Sequence, residues 1–259
     1  MSKVLVTGSS DGLGLAAAQR LLAAGHEVVL HGRNEGRARD AQTAAPKALA
    51  AVVGDLASIA ETRALAEQAN GLGPFDAVIH NAGVGGERRI ETVDGLEHIF
   101  AINVLAPYLL TALIKQPKRL IYLSSGLHRG GDADFDDLQW KRRRWNGYQA
   151  YSDAKLFDTV LAFAMARRWP AVLSNAVDPG WVATKMGGRG APDDLDLGSE
   201  TQAWLAVSQD SAAMVSGVYF YHQKRQRFHP AAGDPTIQDR LLAACEELTG
   251  TPIPAAALA

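Results

Sequence analysis

Short apolar segments alternate with longer segments of helical composition along this chain. The apolar segments predict strands over residues 3–7, 27–31, 48–53, 75–80, 119–124, 171–177 and 215–221. The segments between and after them predict helices over residues 12–24, 35–44, 58–70, 92–114, 149–169, 199–207 and 236–248. The strand segments are apolar throughout, which is typical of a parallel sheet that is covered on both faces. We therefore predict an α/β fold, a doubly wound parallel sheet flanked by helices, in a single domain over residues 1–259.

The composition places the chain among ordinary globular proteins. It has 259 residues, of which 47% are hydrophobic and 21% charged, and its net charge is −2. This balance gives no reason to expect nucleic acid or an anionic membrane as a partner. The single cysteine, Cys245, excludes an intrachain disulfide and suits the reducing cytoplasm. The chain leads almost directly into a strand and has no apolar run near the roughly 20 residues of a membrane span, so we expect a cytoplasmic protein.

A glycine-rich turn, TGSSDGLG at residues 7–14, joins the first predicted strand to the first predicted helix. Glycine lets the backbone turn tightly and approach a ligand, and the helix N-terminus directs N–H groups and a positive dipole end toward a phosphate. The spacing G-x-x-x-G-x-G differs from the better-known G-x-G-x-x-G, and a purely structural turn is the alternative. Its place after the first strand favours nucleotide binding.

The end of the second strand should select the cofactor, because a carboxylate there would bind the ribose 2′-hydroxyl of NAD. Residues 31–34 read HGRN and contain no carboxylate, whereas the guanidinium of Arg33 suits a 2′-phosphate. This predicts NADP(H) over NAD(H), with a solvated loop arginine as the alternative.

Tyr151 and Lys155 lie four apart on a predicted helix and hence on one face of it. A phenol titrates near pKa ~10, and a neighbouring cation lowers that pKa, so the pair suits proton exchange with an alcohol or carbonyl. The spacing alone is a weak signal, and the residues around it decide its meaning.

Taken together, the motifs resemble those of the short-chain dehydrogenase/reductase family, whose members have a Rossmann-like fold and use NAD or NADP in oxidation and reduction. The resemblance covers nearly the whole chain. It rests on the turn at residues 7–14, Gly54-Asp55-Leu56, Asn81-Ala82-Gly83, Asn103, Ser124-Ser125, Tyr151 with Lys155, and Asp178-Pro179-Gly180 followed by Thr184.

The resemblance implies four catalytic residues. Tyr151 is then the general acid/base, Lys155 lowers its pKa and holds the nicotinamide ribose, and Ser125 binds the substrate oxygen. Asn103 holds a water in a proton relay. The implied cofactor-binding residues are Gly8, Ser10, Asp11, Gly12, Leu13, Gly14, Arg33, Asp55, Leu56, Asn81, Ala82, Gly83, Tyr151, Lys155, Pro179, Gly180, Val182 and Thr184.

Pro107 lies four residues after Asn103 within a predicted helix. Proline has no N–H to donate to the carbonyl of residue 103, and its ring crowds that carbonyl, so we expect a kink there. The kink would leave the Asn103 carbonyl available to a water, and an ordinary kink without chemistry is the alternative.

The segment between Ser125 and Tyr151 is about twice as long as in compact family members. This insert, residues 126–149, resembles the retinol-dehydrogenase-like and protochlorophyllide-reductase-like branch. That branch often has an N-terminal membrane anchor, which we do not expect here. Residues 185–198 follow the sixth strand, and we predict that they form a mobile lid over the substrate, with a plain surface loop as the alternative.

Two residues depart from the usual family pattern. His80 replaces the asparagine that commonly precedes Asn-Ala-Gly, and Asp153 lies inside the Tyr/Lys motif, where we expect it to face away from Lys155. A basic cluster at residues 141–144 could contact nucleic acid or lipid. We prefer a solvated loop that is neutralised by the upstream carboxylates of Asp132, Asp134, Asp136 and Asp137. The histidines show no metal-ligand spacing, so we expect no metal site.

The sequence therefore favours an NADP-dependent oxidoreductase that interconverts an alcohol and a carbonyl on a small molecule. A C=C reductase on the same fold and a non-catalytic dinucleotide-binding sensor or interaction protein are the alternatives. The family usually pairs subunits through two long helices, so the resemblance implies a homo-oligomer, dimer or tetramer, which the insert or the C-terminal tail could prevent.

Overall fold

The computed structural model describes residues 1–256 and contains one eight-stranded sheet. The strand order is β3-β2-β1-β4-β5-β6-β7-β8, and β1 to β7 are parallel to one another, as in a Rossmann-like fold. The strands are β1 (Lys3–Val6), β2 (Glu27–Gly32), β3 (Ala50–Val53), β4 (Ala77–His80), β5 (Arg119–Leu123), β6 (Leu173–Asp178), β7 (Tyr219–Tyr221) and β8 (Lys224–Arg225).

Helices cover both faces of the sheet. They are α1 (Gly12–Ala23), α2 (Glu35–Ala44), α3 (Ile59–Leu72), α4 (His98–Phe100), α5 (Ala106–Leu113), α6 (Gly147–Arg168), α7 (Leu195–Val207) and α8 (Pro235–Thr249). Apolar side chains from α3, α5, α6 and α8 fill one core, and those from α1, α2 and α7 fill the other. Burial on both faces accounts for the continuous apolar strand segments in the sequence.

All seven predicted strands are present, most of them one to four residues shorter than predicted. No pattern in the sequence predicted β8, a two-residue antiparallel edge strand with exposed side chains. The helix predicted over 92–114 is wrong in its first part. Residues 91–97 form a turn closed by a bridge between Glu91 and Glu97, and the Glu97 carboxylate then accepts from the N–H groups of Ile99 and Phe100 to start α4.

The interruption expected near Pro107 takes the form of a π-helical turn, Ala101–Leu105, between α4 and α5. Proline cannot supply an α-helical donor to residue 103, and a π-turn is one way in which a helix accommodates that loss. Asn103 lies at the centre of this turn and is buried.

No helix within residues 1–256 is long and apolar enough to cross a membrane.

Candidate active site

The residues that sequence reasoning selected lie along the carboxyl edge of the parallel strands or on helices that face it. Ligands bind at this edge in open α/β sheets because the connecting loops diverge there. Gly8, Ser10 and Asp11 follow β1, Arg33 follows β2, and Asp55 and Leu56 follow β3; Asn81, Ala82 and Gly83 follow β4, Ser125 follows β5, and Pro179, Gly180, Val182 and Thr184 follow β6. Gly12, Leu13 and Gly14 open α1, Asn103 lies in the π-turn, and Tyr151 and Lys155 lie on α6.

The turn after β1 has the geometry of a phosphate cradle. Gly8 and Gly12 have φ angles of +61° and +51°, which side chains rarely tolerate. A Cβ at Gly14 would lie 2.4 Å from Asn81 Nδ2 and 2.4 Å from the Gly8 carbonyl. Asp11 is the N-cap residue of α1 but makes no side-chain cap hydrogen bond, so its carboxylate does not occupy the first-turn N–H groups. The residues present therefore fit a dinucleotide pyrophosphate at this helix N-terminus.

His31 supports this turn from β2, a role that the sequence did not reveal. Its Nδ1 accepts from the Gly8 N–H at 2.9 Å, so its Nε2 carries the proton and donates to the Gly54 carbonyl at 2.9 Å. Burial lowers the pKa of His31, which keeps the imidazole neutral in this arrangement. The ring thus joins the turn after β1 to the end of β3.

Cations lie beside the cradle at the end of β2 and around Asp11. Arg33 is exposed at the end of β2, as predicted. Asp11 Oδ2 lies 2.6 Å from Arg37 and 2.7 Å from Lys185. Burial acts to raise the pKa of Asp11, but Lys185 and Arg37 together hold it below its usual value. Sequence reasoning missed both partners, because they lie 26 and 174 residues from Asp11.

The contacts of Asp55 and Leu56 support a cofactor-binding role less directly than those of the other predicted residues. The Asp55 carboxylate accepts from the Ala57 N–H at 2.9 Å and closes the turn before α3. Leu56 is only 5% exposed and packs in the core cluster. These contacts give both residues a structural role at the strand end.

Ser125 and Tyr151 both line one large cavity. Ser125 caps the short 3₁₀-helix Gly126–Gly130, where its Oγ accepts from the Leu127 N–H at 3.2 Å, and its hydroxyl acts to lower the pKa of the Tyr151 phenol. The neighbouring Ser124 instead donates to the Lys155 carbonyl at 2.8 Å and is buried away from the cavity. The geometry therefore distinguishes the two serines and places Ser125 beside the tyrosine.

Lys155 and Asn103 lie behind the tyrosine. Lys155 Nζ is 5.6 Å from the centre of the Tyr151 ring, and a Cβ at Gly83 would lie 3.4 Å from that Nζ and 3.5 Å from Asn103 Oδ1. The Asn103 side chain is tied to Val84, since its Oδ1 accepts from the Val84 N–H at 2.8 Å and its Nδ2 donates to the Val84 carbonyl at 2.9 Å. The structure thus brings all four predicted catalytic residues into one cluster.

Lys155 acts on the pKa of Tyr151 in the predicted direction, but burial outweighs it. Burial raises the pKa of Tyr151, Lys155 lowers it as expected, and the carboxylates of Asp158 and Asp178 raise it again, with a net pKa above the usual value. The sequence showed the lysine but gave no sign that the phenol would be buried or that Asp158 would pair with Lys155. Burial disfavours a phenolate because the charge loses its water.

The cavity has a volume of about 1130 Å³ and is lined largely by apolar atoms. It extends from the α1 N-terminus, past Ser125 and Tyr151, to the insert and the segment after β6. Tyr148 and Trp181, 65% and 61% exposed, lie on its wall. A cavity of this size holds a nicotinamide group together with a small-molecule substrate.

The predicted lid is a loop over only part of its length. Val182 and Asp193 form a β-bridge, and Asp193 Oδ2 accepts from the Trp181 N–H at 2.6 Å. Asp194 then caps α7, which begins at Leu195, so the last four residues of the predicted segment 185–198 are helical.

Within residues 1–256, no group of three His, Cys, Asp or Glu side chains is arranged to hold a metal ion.

Comparisons with known proteins agree with this architecture. Residues 2–121 match the short chain dehydrogenase family. An uncharacterized oxidoreductase of Emericella nidulans is 46% identical over 98% of this chain and 99% of its own. Human retinol dehydrogenase 14 is 31% identical over 95% of this chain and 85% of its own, in keeping with the predicted branch. The crystal structure of an uncharacterized protein of Mycobacterium paratuberculosis superposes with a TM-score of 0.84 at 27% identity, over 98% of this chain and 95% of that one. The chain therefore belongs to the short-chain dehydrogenase/reductase family and is an NAD(P)-dependent oxidoreductase of its retinol-dehydrogenase-like branch.

Proposed function

We propose that this protein interconverts an alcohol and a carbonyl on a small molecule, with NADP(H) as cofactor and Tyr151 as general acid/base. The placement of Ser125 and Tyr151 together on the wall of one cavity carries the proposal. Two hydroxyls directed at one point can bind one substrate oxygen, where negative charge develops during hydride transfer. The relative named for retinol, an alcohol, supports the same reaction type.

The nicotinamide cofactor supplies the hydride when it is bound. Ser125 holds the substrate oxygen, and Tyr151 gives it a proton in the reductive direction or takes one in the oxidative direction. Lys155 lies close enough to the Tyr151 ring to stabilise negative charge on the phenol. We assign Asn103 to the proton relay behind Lys155, since a Cβ at Gly83 would contact the side chains of both.

NADP(H) is the cofactor that the charges favour. Arg33 and Arg37 supply two guanidinium groups near the end of β2, and Lys185 supplies an ammonium from the loop after β6. Guanidinium groups match the geometry of phosphate oxygens. Residues 31–34 still contain no carboxylate to bind a ribose 2′-hydroxyl.

Residues 185–194 are proposed as the mobile part of a lid over the cavity. Lys185 is 80% exposed in its bridge to Asp11, and Met186 and Gly187 line the cavity wall. Limited trypsin digestion should cut after Lys185 or Arg189, and bound NADPH should slow that cleavage because the cofactor would order the loop. Equal cleavage rates with and without NADPH would argue for a plain surface loop.

We further propose a cytoplasmic location, supported by the single cysteine, Cys245, which is buried and unpaired with another cysteine. The basic cluster at residues 141–144 does not change the choice of a small-molecule partner. Arg143 lies within 4 Å of the carboxylates of Asp134, Asp137 and Asp153, so two of the four upstream aspartates pair with it.

A spectrophotometric screen of NADPH oxidation against aldehydes and ketones tests the function. Turnover that disappears in Tyr151→Phe, with NADPH binding retained, is the expected result. Product analysis separates the C=C reductase, because a saturated ketone in place of an alcohol would favour it. Family membership and the clustered set of Asn103, Ser125, Tyr151 and Lys155 argue against a non-catalytic sensor, which would bind NADPH without turnover in wild type and variant alike.

A further inference from the structure

A buried ion pair holds the Lys155 ammonium beneath the tyrosine. Lys155 Nζ donates to Asp158 Oδ2 at 2.7 Å and to the Leu123 carbonyl at 2.7 Å. The two side chains are only 5% and 3% exposed. Water does not screen such a pair, so its geometry and charge act strongly on neighbouring groups.

The position of Asp158 follows from the helix. It lies three residues after Lys155, which lies four after Tyr151, so the three side chains share one face of α6. Residues 151, 155 and 158 thus place a phenol, an ammonium and a carboxylate one after another along this face of the helix. The ammonium lies between two groups that both interact with its charge.

The Asp158 carboxylate and the Lys155 ammonium act on the pKa of Tyr151 in opposite directions. Beyond the larger effect of burial, Lys155 lowers the pKa of Tyr151, whereas Asp158 raises it. Burial acts to lower the pKa of Lys155, but the charge and hydrogen bond of Asp158, together with Tyr151, raise it overall. The pair therefore keeps both the ammonium and the phenol protonated.

Other ionisable groups face this cluster from the neighbouring strands. Asp178, at the end of β6, raises the pKa of Tyr151 as Asp158 does. Tyr122 on β5 hydrogen-bonds Thr111 at 2.7 Å, and burial raises its pKa. His80 stacks on Tyr122, and burial lowers its pKa to about 3. Neither Tyr122 nor His80 changes charge near neutral pH. Burial raises the pKa of Asp158, and the Lys155 ammonium at 2.7 Å acts to lower it.

We propose that Asp158 is a positioning residue that restrains the Lys155 ammonium against Leu123 and thereby sets the protonation of Tyr151 during catalysis. The inference rests on the proposed function, since it takes Tyr151 as the acid/base group. Its consequence is directional. Carbonyl reduction needs the protonated phenol and alcohol oxidation needs the phenolate, so Asp158 maintains the form that reduces carbonyls.

Asp158→Asn keeps the size of the side chain and removes its charge. The acidic limb of kcat/KM for alcohol oxidation should then move to lower pH by about one unit, and the alkaline limb for carbonyl reduction should move the same way. Asp153→Asn is the matched control, because Asp153 is a buried aspartate on the same helix that binds the insert instead of Lys155. If the limbs of the two pH profiles do not move in Asp158→Asn, or move to higher pH, the proposal is overturned.

An NMR titration gives a readout that does not depend on turnover. Tyrosines labelled with ¹³C at Cζ report ionisation of each phenol, and Tyr151→Phe identifies the Tyr151 signal. In Asp158→Asn this signal should begin to ionise at lower pH than in wild type, and an identical titration would overturn the proposal. Asp158→Ser serves if the asparagine variant does not fold. Full activity in Tyr151→Phe would instead overturn the proposed function, and the titration would still decide the influence of Asp158.

Discussion

Arg143 Nη2 lies 3.2 Å from Asp153 Oδ2 and joins the insert to the helix that carries Tyr151. The same carboxylate accepts from the Asp132 N–H at 2.8 Å and from Gln149 Nε2 at 2.7 Å. The guanidinium also stacks on the Trp140 ring, with 3.8 Å to its centre. Asp153 faces away from Lys155, as the sequence predicted, and its side chain fixes residues 126–149 next to the substrate cavity.

Asp153→Ala should therefore loosen the insert. The change removes the acceptor of the Asp132 N–H and one of the three carboxylates around the Arg143 guanidinium, so we expect a loss of about 1–3 kcal/mol in the free energy of unfolding. The substrate KM should rise more than kcat falls. Urea unfolding and steady-state kinetics measure the two effects.

Asp132→Ala is the control, because Asp132 is exposed and gives only its backbone N–H to this contact. It should change stability by no more than about 0.5 kcal/mol. Equal stability losses in the two variants would contradict a specific role for the Asp153 carboxylate.

Arg33→Asp should shift cofactor preference from NADPH toward NADH. The substitution removes a guanidinium from the end of β2 and places a carboxylate there, which repels a 2′-phosphate and can accept from a ribose 2′-hydroxyl. The ratio of kcat/KM for NADPH to that for NADH should fall about tenfold or more, since a hydrogen bond to a charged group contributes roughly 1.5–3 kcal/mol.

Arg39→Asp tests whether any charge reversal near β2 has this effect. Arg39 lies on α2, is 72% exposed and lies 4.0 Å from Glu35. Its variant should keep the wild-type cofactor ratio. An unchanged ratio in Arg33→Asp would remove the argument for NADP.

The features that could be predicted from the sequence are those that depend on order along the chain. The glycine turn, Ser125, and Tyr151 with Lys155 each follow a predicted strand or share a helix, and strand ends meet at one edge of a parallel sheet. Their clustering therefore follows from topology alone, before any side-chain contact is known.

The features that were missed depend on burial or on contacts between distant residues. Arg37 and Lys185 meet at Asp11 across 26 and 174 residues, and no local pattern signals such a meeting. Asp158 reads as an ordinary polar helix position, since its importance depends on its being 3% exposed beside Lys155. The net rise of the Tyr151 pKa was missed for the same reason. Residue spacing reveals the neighbouring cation but not the burial that removes water from the phenol.

His80 should make the fold sensitive to acid. Its Nε2 lies 3.1 Å from Thr111 Oγ1, its Nδ1 has no hydrogen-bond partner within residues 1–256, and burial lowers its pKa from 6.5 to about 3. The unfolded chain takes up a proton near pH 6.5, whereas the folded chain does not until about pH 3. Stability from this site is thus complete above pH 6.5 and is lost as pH falls from 6.5 toward 3.

His80→Asn should reduce this dependence. Between pH 7.5 and pH 5 the wild type should lose about 2 kcal/mol more unfolding free energy than the variant. Urea unfolding of both proteins at the two pH values measures the difference. His31 and His128 also have pKa values lowered by burial, but they are present in both proteins and cancel. Equal pH dependence in the two proteins would contradict the assignment.

The outer faces of α5 and α6 should not be available for subunit pairing in this chain. The homo-oligomer expected by resemblance assumes that these helices are exposed, but residues 152–165 of α6 are buried within the single chain. Arg167 on α6 hydrogen-bonds Gln238 on α8 at 2.8 Å, and Tyr108 on α5 donates to the Thr251 carbonyl at 2.7 Å. The C-terminal segment thus covers the surface through which the family usually pairs.

We accordingly predict a monomer. Light scattering coupled to size-exclusion chromatography should give the mass of one chain across a wide range of concentration, with and without NADPH. Because the Trp169 indole donates to the Pro254 carbonyl at 3.0 Å, the covering segment extends beyond α8 and a partner helix would have to displace all of it. That displacement would expose apolar surface to water, at a free-energy cost of about 25 cal/mol per Å², before any new contact forms. A stable dimer with cross-links between the α6 helices of two chains would show that the segment does move.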